Sequence, residues 1–289
     1  MMSDKLTIIQ GVQQIELEIM DIVHKICVEN HIRYSLIYGS LIGAVRHNGF
    51  IPWDDDIDIC MPRDDYVKFL KVWSAYKLKD YILQNKKTNC DFTQNFTKVR
   101  KYNTTFLQED DTGEYHKGIF IDIFAADRVP EKWIQKMAQK ISVAIDLLYT
   151  KEHGSGIPNP IISITENFLL HIPRKCQIVL QKWAYKNIMK FNNKNVLKYM
   201  IACTLEEVKN LYSADVFENL VLCEFSGREY YRFRDYDSCL SMLYGDYMQL
   251  PPENERTWKH SPIIVDFYKN ISELDNRIIE KPKGFFDAV

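Results

Sequence analysis

IPWDDDIDICMPRDD, residues 51–65, sets six aspartates into the twelve positions from Asp54 to Asp65, beside the apolar Ile57, Ile59 and Met61. Carboxylates at this density repel one another, and burying them unpaired is expensive. The stretch is therefore either a solvated loop or a place where something cationic sits. In a strand over 56–60, Asp56 and Asp58 project from one face while Ile57 and Ile59 enter the core behind. Asp54 shares that face and Asp55 points away from it. Two carboxylates on a rigid element form a hard-oxygen site for Mg²⁺ or Mn²⁺. Magnesium completes its octahedron with water and substrate phosphates, so the pair points to a nucleotide or pyrophosphate ligand.

Upstream, Ile8, Val12, Ile15, Ile19, Ile22 and Ile26 recur at steps of three and four, which predicts a long helix over roughly 5–30. The run 32–38 reads as a strand, punctuated by Gly39 and Ser40 and followed by a short helix over 41–47. Strand, Gly-Ser and helix bring backbone N–H groups and a hydroxyl to a helix N-terminus, a natural phosphate cradle. Arg46, at the end of the short helix, reads equally as a phosphate clamp or as a charge complementing the dipole. Pro52 delays the next strand, and Pro62 opens a helix to about 75.

Downstream, strands are expected at 81–84 and 95–101. Lys98 and Arg100 share a face there and either neutralise a pyrophosphate or cover an exposed strand face. GIFIDIF, 118–124, predicts a strand in which Asp122 is the lone acid, the best candidate for a third carboxylate. His116 just before it reads as a surface histidine. The pattern is then mostly helical to about 211, including 131–150 and 174–191. A hairpin follows over 216–233, and a short helix over 235–243. The whole is one unit, 1–289. It comprises a core over 1–130, a mainly helical region over 131–212, and a C-terminal hairpin and YGDY segment over 213–289 that packs on the core.

The composition is that of a globular chain, 46% hydrophobic and 26% charged, and its net charge is −2. With no basic excess, nucleic acid is argued against as a partner. Seven cysteines without a CxxC pair argue against a disulfide framework or structural zinc and for a reducing compartment. The first residues lack a signal-peptide layout and no apolar run approaches the ~20 residues of a spanning helix, so a cytoplasmic protein is expected. The segment 157–173, followed by Arg174, Lys175 and Lys182, reads better as a helix packed on the main domain than as one resting on a membrane.

Strand, Gly-Ser, helix, turn and the alternating acids, with a later isolated strand aspartate, resemble the signature of the nucleotidyltransferase fold. The string YGSLIGAVRHNGFIPWDDDIDICMPRDDY, residues 38–66, resembles the narrower LicD family, which includes the fukutin-related proteins. GIFIDIF followed by Asp127 and Pro130 resembles that family's second block, and 217–252 its C-terminal block. The resemblance implies an α+β fold, a nucleotidyltransferase-like mixed sheet flanked by helices with an added helical region. It also implies transfer of a phospho-alcohol, phosphocholine above all, from a CDP-linked donor such as CDP-choline to a hydroxyl of a glycan or lipid-linked oligosaccharide. CMP is released. The family's core aspartates carry over to Asp56 and Asp58, and Tyr244 and Asp246 take a structural or substrate-lining role. A glycan acceptor brings with it possible peripheral contact at the inner face of the membrane. Two other readings stand beside this one: a nucleotidyltransferase moving an NMP to a small hydroxylated substrate, and a non-catalytic scaffold of the same fold.

Overall fold

The parallel pairing of β2 (Asp58–Pro62) with β6 (Phe120–Arg128) organises the computed structural model, which describes residues 2–109, 111, 113–151, 154–193 and 196–274. All five residues of β2 are buried, as expected of a strand covered on both faces. Ile57, Ile59, Met61, Ile121 and Ile123 are wholly enclosed. The seven-stranded mixed sheet runs β1 (Ser35–Leu36), β2, β6, β4 (Thr97–Lys101) and β3 (Tyr81–Gln84). Among the described residues, β2 and β6 are its only parallel pair. A parallel pair needs a crossover, and α3 (Arg63–Trp73) begins it directly after Pro62. Asp64 and Asp65 in the first turn of α3 suit the positive end of its dipole.

The long N-terminal helix α1 (Met2–Glu29) forms as the spacing predicts, burying Val12, Ile19, Met20, Val23 and Ile26. The strand expected over 32–38 contracts to β1. Ile37, extended at φ −141° and ψ 170°, instead caps α2 (Tyr38–Arg46), so Gly39 and Ser40 lie inside the helix's first turn rather than before it. Tyr38 opens that turn at φ 50°, a left-handed conformation unusual for a bulky residue.

The region 131–212 holds α4 (Trp133–Lys151), α5 (Pro160–His171) and α6 (Arg174–Met189), but it is not helical throughout. The strands β7 (Lys198–Ile201) and β8 (Tyr212–Ser213) extend the sheet, with β7 pairing the far end of β6 at Ala126, Asp127 and Arg128. That ladder is why β6 runs past 124. The packed-helix reading of 157–173 also needs correction, because α5 buries none of its residues. The hairpin forms from β9 (Leu220–Phe225) and β10 (Arg228–Phe233). Ser226 and Gly227 turn it with positive φ at both positions, the geometry of a type I′ turn. The short helix α7 (Tyr236–Tyr244) follows, and β11 (Ile264–Asp266) pairs with β5 (Thr105–Leu107).

Among the described residues, no helix is long and apolar enough to cross a membrane.

Candidate active site

Three elements hold the backbone of the acidic segment in place. Gln13 Nε2 of α1 donates to the Asp54 carbonyl at 2.7 Å. Ser40 Oγ of α2 accepts the Asp58 N–H at 2.8 Å, and the Asp122 N–H of β6 reaches the Ile57 carbonyl at 2.9 Å. Buried backbone groups need such partners, and here meeting that need fixes the spacing of the carboxylates. Asp58 stands directly beside Asp122 in the parallel register, and Asp122 is opposite Lys98 in the antiparallel one. Lys98 Nζ donates to both Asp122 oxygens, at 2.8 and 3.0 Å, and lies 3.2 Å from the centre of the Phe120 ring.

Around this pair gather the other acids. Burial and the neighbouring Asp54 push Asp56 up to about 7. Burial, then Asp56 and Asp122, hold Asp58 well above the usual carboxylate range against the opposing pull of Lys98. Asp55 turns elsewhere: its carboxylate receives the Trp258 indole N–H and meets His260 Nδ1 at 2.9 Å. His260 Nε2 lies 3.8 Å from Asp56. Burial alone would lower His260, but its bond to Asp55 and the charges of Asp56 and Asp55 outweigh that and raise it to about 8.

Two participants were missed from sequence. Glu16 projects from the buried side of α1, only 1% exposed, and its Oε2 has no hydrogen-bond partner. Burial and the charges of Asp55 and Asp56 hold it well above its ordinary value. The available signal was an acid on the apolar stripe, with Val12 a turn before it and Ile19 and Met20 a turn after. His260 carried no signal, because it follows Asp55 by 205 residues.

The remaining expected site residues divide. A Cβ on Gly39 would fall 2.4 Å from Asp54 Oδ2, so the glycine lets that carboxylate lie against the first turn of α2. Tyr244, 46% exposed, has its hydroxyl raised by burial and then by the charges of Asp58, Glu207, Asp54 and Asp56. Arg46 instead grips the chain after α7, donating to the Tyr247 carbonyl at 2.7 Å and the Gln249 carbonyl at 3.4 Å. Arg100 is an interior residue, 1% exposed, bonded to Gln84 and to the Gly118 carbonyl at 2.7 Å. Asp246 is exposed, away from the cluster's hydrogen bonds. His116 packs against Tyr102 and accepts the Gly118 N–H at 3.0 Å, a local support. Asp127 is wholly buried in a two-bond pair with Arg63, at 2.8 and 2.5 Å, and also accepts from Asn192.

The donor set fits a hard divalent cation. Asp56 and Asp58 are crowded, desolvated oxygens whose pKa values are raised first by burial and then by neighbouring carboxylates, and a cation would offset both. Among the described residues no three His, Cys, Asp or Glu side chains close into a ready-made cage. Water and substrate phosphates would therefore supply the remaining ligands, as Mg²⁺ commonly requires. Near the cluster, a cavity of about 470 Å³ opens between α3 and α6, lined by Arg63, Tyr66, Asn95, Phe96 and Tyr185. Phe96 links the two, packing on Phe124 and lying 5.2 Å from Lys98 Nζ.

A family model described as "LicD/FKTN/FKRP, nucleotidyltransferase domain" matches residues 31–144. The lipopolysaccharide cholinephosphotransferase LicD of Haemophilus influenzae is 31% identical over 263 residues, covering 86% of this chain and 94% of that protein. An uncharacterized protein of Rickettsia typhi is 36% identical over 70 residues, 24% of this chain and 23% of its own. One from Rickettsia prowazekii is 27% identical over 114 residues, 39% of this chain and 40% of its own.

Proposed function

This chain belongs to the LicD family and is a phosphotransferase, and we propose that it moves phosphocholine from CDP-choline to a hydroxyl of a cell-surface glycan or its lipid-linked precursor, releasing CMP. In this reading the sheet around β2 and β6 is a nucleotidyltransferase-like core. The observation that carries the proposal is the placement of Asp58 and Asp122 side by side on the parallel pair, with Asp56 just ahead of them.

Asp56 and Asp58, joined by Asp122, would hold Mg²⁺ or Mn²⁺, which when bound offsets charge on the donor phosphates. The first turn of α2 offers N–H groups to a phosphate, beside the Asp54 carboxylate that Gly39 admits there. Lys98 stands as a fixed cation beside the carboxylates, donating to both oxygens of Asp122. The acceptor, seated toward the cavity of Asn95, Phe96 and Tyr185, attacks phosphorus as the bond to the CMP oxygen breaks, and its hydroxyl proton passes to a carboxylate.

The test is CMP release from CDP-choline by the purified protein with Mg²⁺ and a lipopolysaccharide acceptor, with EDTA as control. Metal-dependent CMP formation is expected. Silence with CDP-choline and equally with CDP-ethanolamine, CDP-glycerol and CDP-ribitol would remove the transferase reading.

A further inference from the structure

Three helices, α4, α5 and α6, present apolar side chains to solvent in regular stripes. On α5 these are Ile161, Ile164 and Phe168, at steps of three and four, with Ile161 75% exposed. This helix is well specified despite having no buried residue. Asn159 caps it by accepting the Ile161 and Ile162 N–H groups at 3.0 and 3.3 Å, and Pro160 occupies its first position. Its far end is tied down by Tyr149 and Gln177, which donate to the Leu169 and Leu170 carbonyls at 3.1 and 2.7 Å. A helix held at both ends with its apolar stripe outward is built to meet something other than its own core.

The neighbouring helices repeat the arrangement. On α4, Trp133, Ile134, Met137 and Ile141 are exposed, while Ser142, Val143 and Leu147 face inward. On α6, Ile178, Val179 and Trp183 are exposed, while Ala184 and Ile188 face inward. Contacts of Asn187 with Ser142 and of Gln181 with Asp146 set α4 and α6 antiparallel.

Charge decides the occupant. Within a chain of net charge −2, α4 and α6 together carry seven Lys and Arg residues. Their only acid is Asp146, which is buried and paired with Lys86 at 3.6 Å. Two copies of this chain would bring two basic faces together. A lipid surface with anionic headgroups satisfies both features, since apolar side chains enter the acyl boundary while lysines meet the headgroup phosphates.

We propose that the outward faces of α4, α5 and α6 form a docking surface for an anionic lipid membrane, on which the protein lies without spanning. The inference is independent of the transferase reading. It is tested with the full chain and sucrose-loaded vesicles of phosphatidylcholine, with and without phosphatidylglycerol. Wild type is expected to sediment with the anionic vesicles, at least tenfold more than with neutral ones, and to be released by raised salt. The double variant Ile161→Glu/Phe168→Glu, folded by circular dichroism, should lose that binding tenfold or more. A separate charge variant, Lys136→Glu/Lys140→Glu/Lys175→Glu, should lose it too. Failure of the wild type to sediment would overturn the proposal, as would unchanged binding in both variants. A dimer in solution that the Ile161→Glu/Phe168→Glu variant dissociates, with no vesicle binding by wild type, would assign the surface to a second copy instead.

Discussion

Lys98 faces Asp122 across the ladder of β4 and β6 and binds both of its oxygens, at 2.8 and 3.0 Å, with both side chains buried. Removing one partner of such a pair leaves a desolvated charge. Lys98→Met should therefore cost about 3–5 kcal/mol of stability. The double variant Lys98→Met/Asp122→Asn should recover a substantial part of that loss. Urea unfolding of the three proteins checks this, and an unchanged midpoint for Lys98→Met would refute the pairing.

Asp56→Asn and Asp58→Asn should each lower CMP formation by more than the roughly 10–100-fold that loss of an outer-shell partner causes at a metal site. The fold should survive, and the metal-free protein should melt at the same temperature or higher, because repulsion is relieved. Wild-type turnover in the double variant would displace the site.

The stability of the metal-free protein should fall as pH rises. Asp56, ordinarily near 3.8, stands at about 7 when folded, so ionising it in the folded state opposes folding. His260, ordinarily near 6.5, stands at about 8, so its contribution is complete below 6.5 and is lost as pH climbs through 8. Both act in one direction. Melting in EDTA from about pH 5 to about pH 8.5 should give a descending curve, shallower in Asp56→Asn, and Mg²⁺ should lift its alkaline end. A flat or ascending curve would contradict the assignment.

His260→Ala leaves Asp55, which is almost wholly buried, with one fewer hydrogen bond and should destabilise the protein by about 1–3 kcal/mol. Because His260 also faces Asp56, the pH dependence of turnover should shift in this variant. A purely structural histidine would leave it in place.

Gly39→Ala separates stability from activity. Alanine favours a helix by about 1 kcal/mol over glycine, yet its Cβ would displace the Asp54 carboxylate. Turnover should drop well beyond any change in melting temperature. An equal loss of both would mean that Gly39 serves only the backbone.

The strand–helix–acid core was legible because local patterns carried it. Ile57 and Ile59 alternate with Asp56 and Asp58, although the strand expected over 56–60 begins only at Asp58, and the lone Asp122 stands in an apolar strand. The failures are long-range. Nothing near 198–201 announces a strand, because β7 exists only where β6 offers it an edge. Arg46 and Arg100 have the right chemistry for phosphate, but carbonyls distant in the chain or buried within the fold engage them instead. His260 and Glu16 reach the acids only through tertiary contact, and neither has a spacing rule to announce it.

Trp258 and His260, which bind Asp55, follow it by 203 and 205 residues. At translation speeds of about 5–20 residues per second, the ribosome makes the acidic segment roughly 10–40 s before the groups that brace it. A nascent chain, or one cut short by a premature stop codon before Trp258, thus carries the aspartates without the completed site. Closure of the acidic cluster thus waits for the segment that carries Trp258 and His260, and chains aborted before it lack those two partners of Asp55.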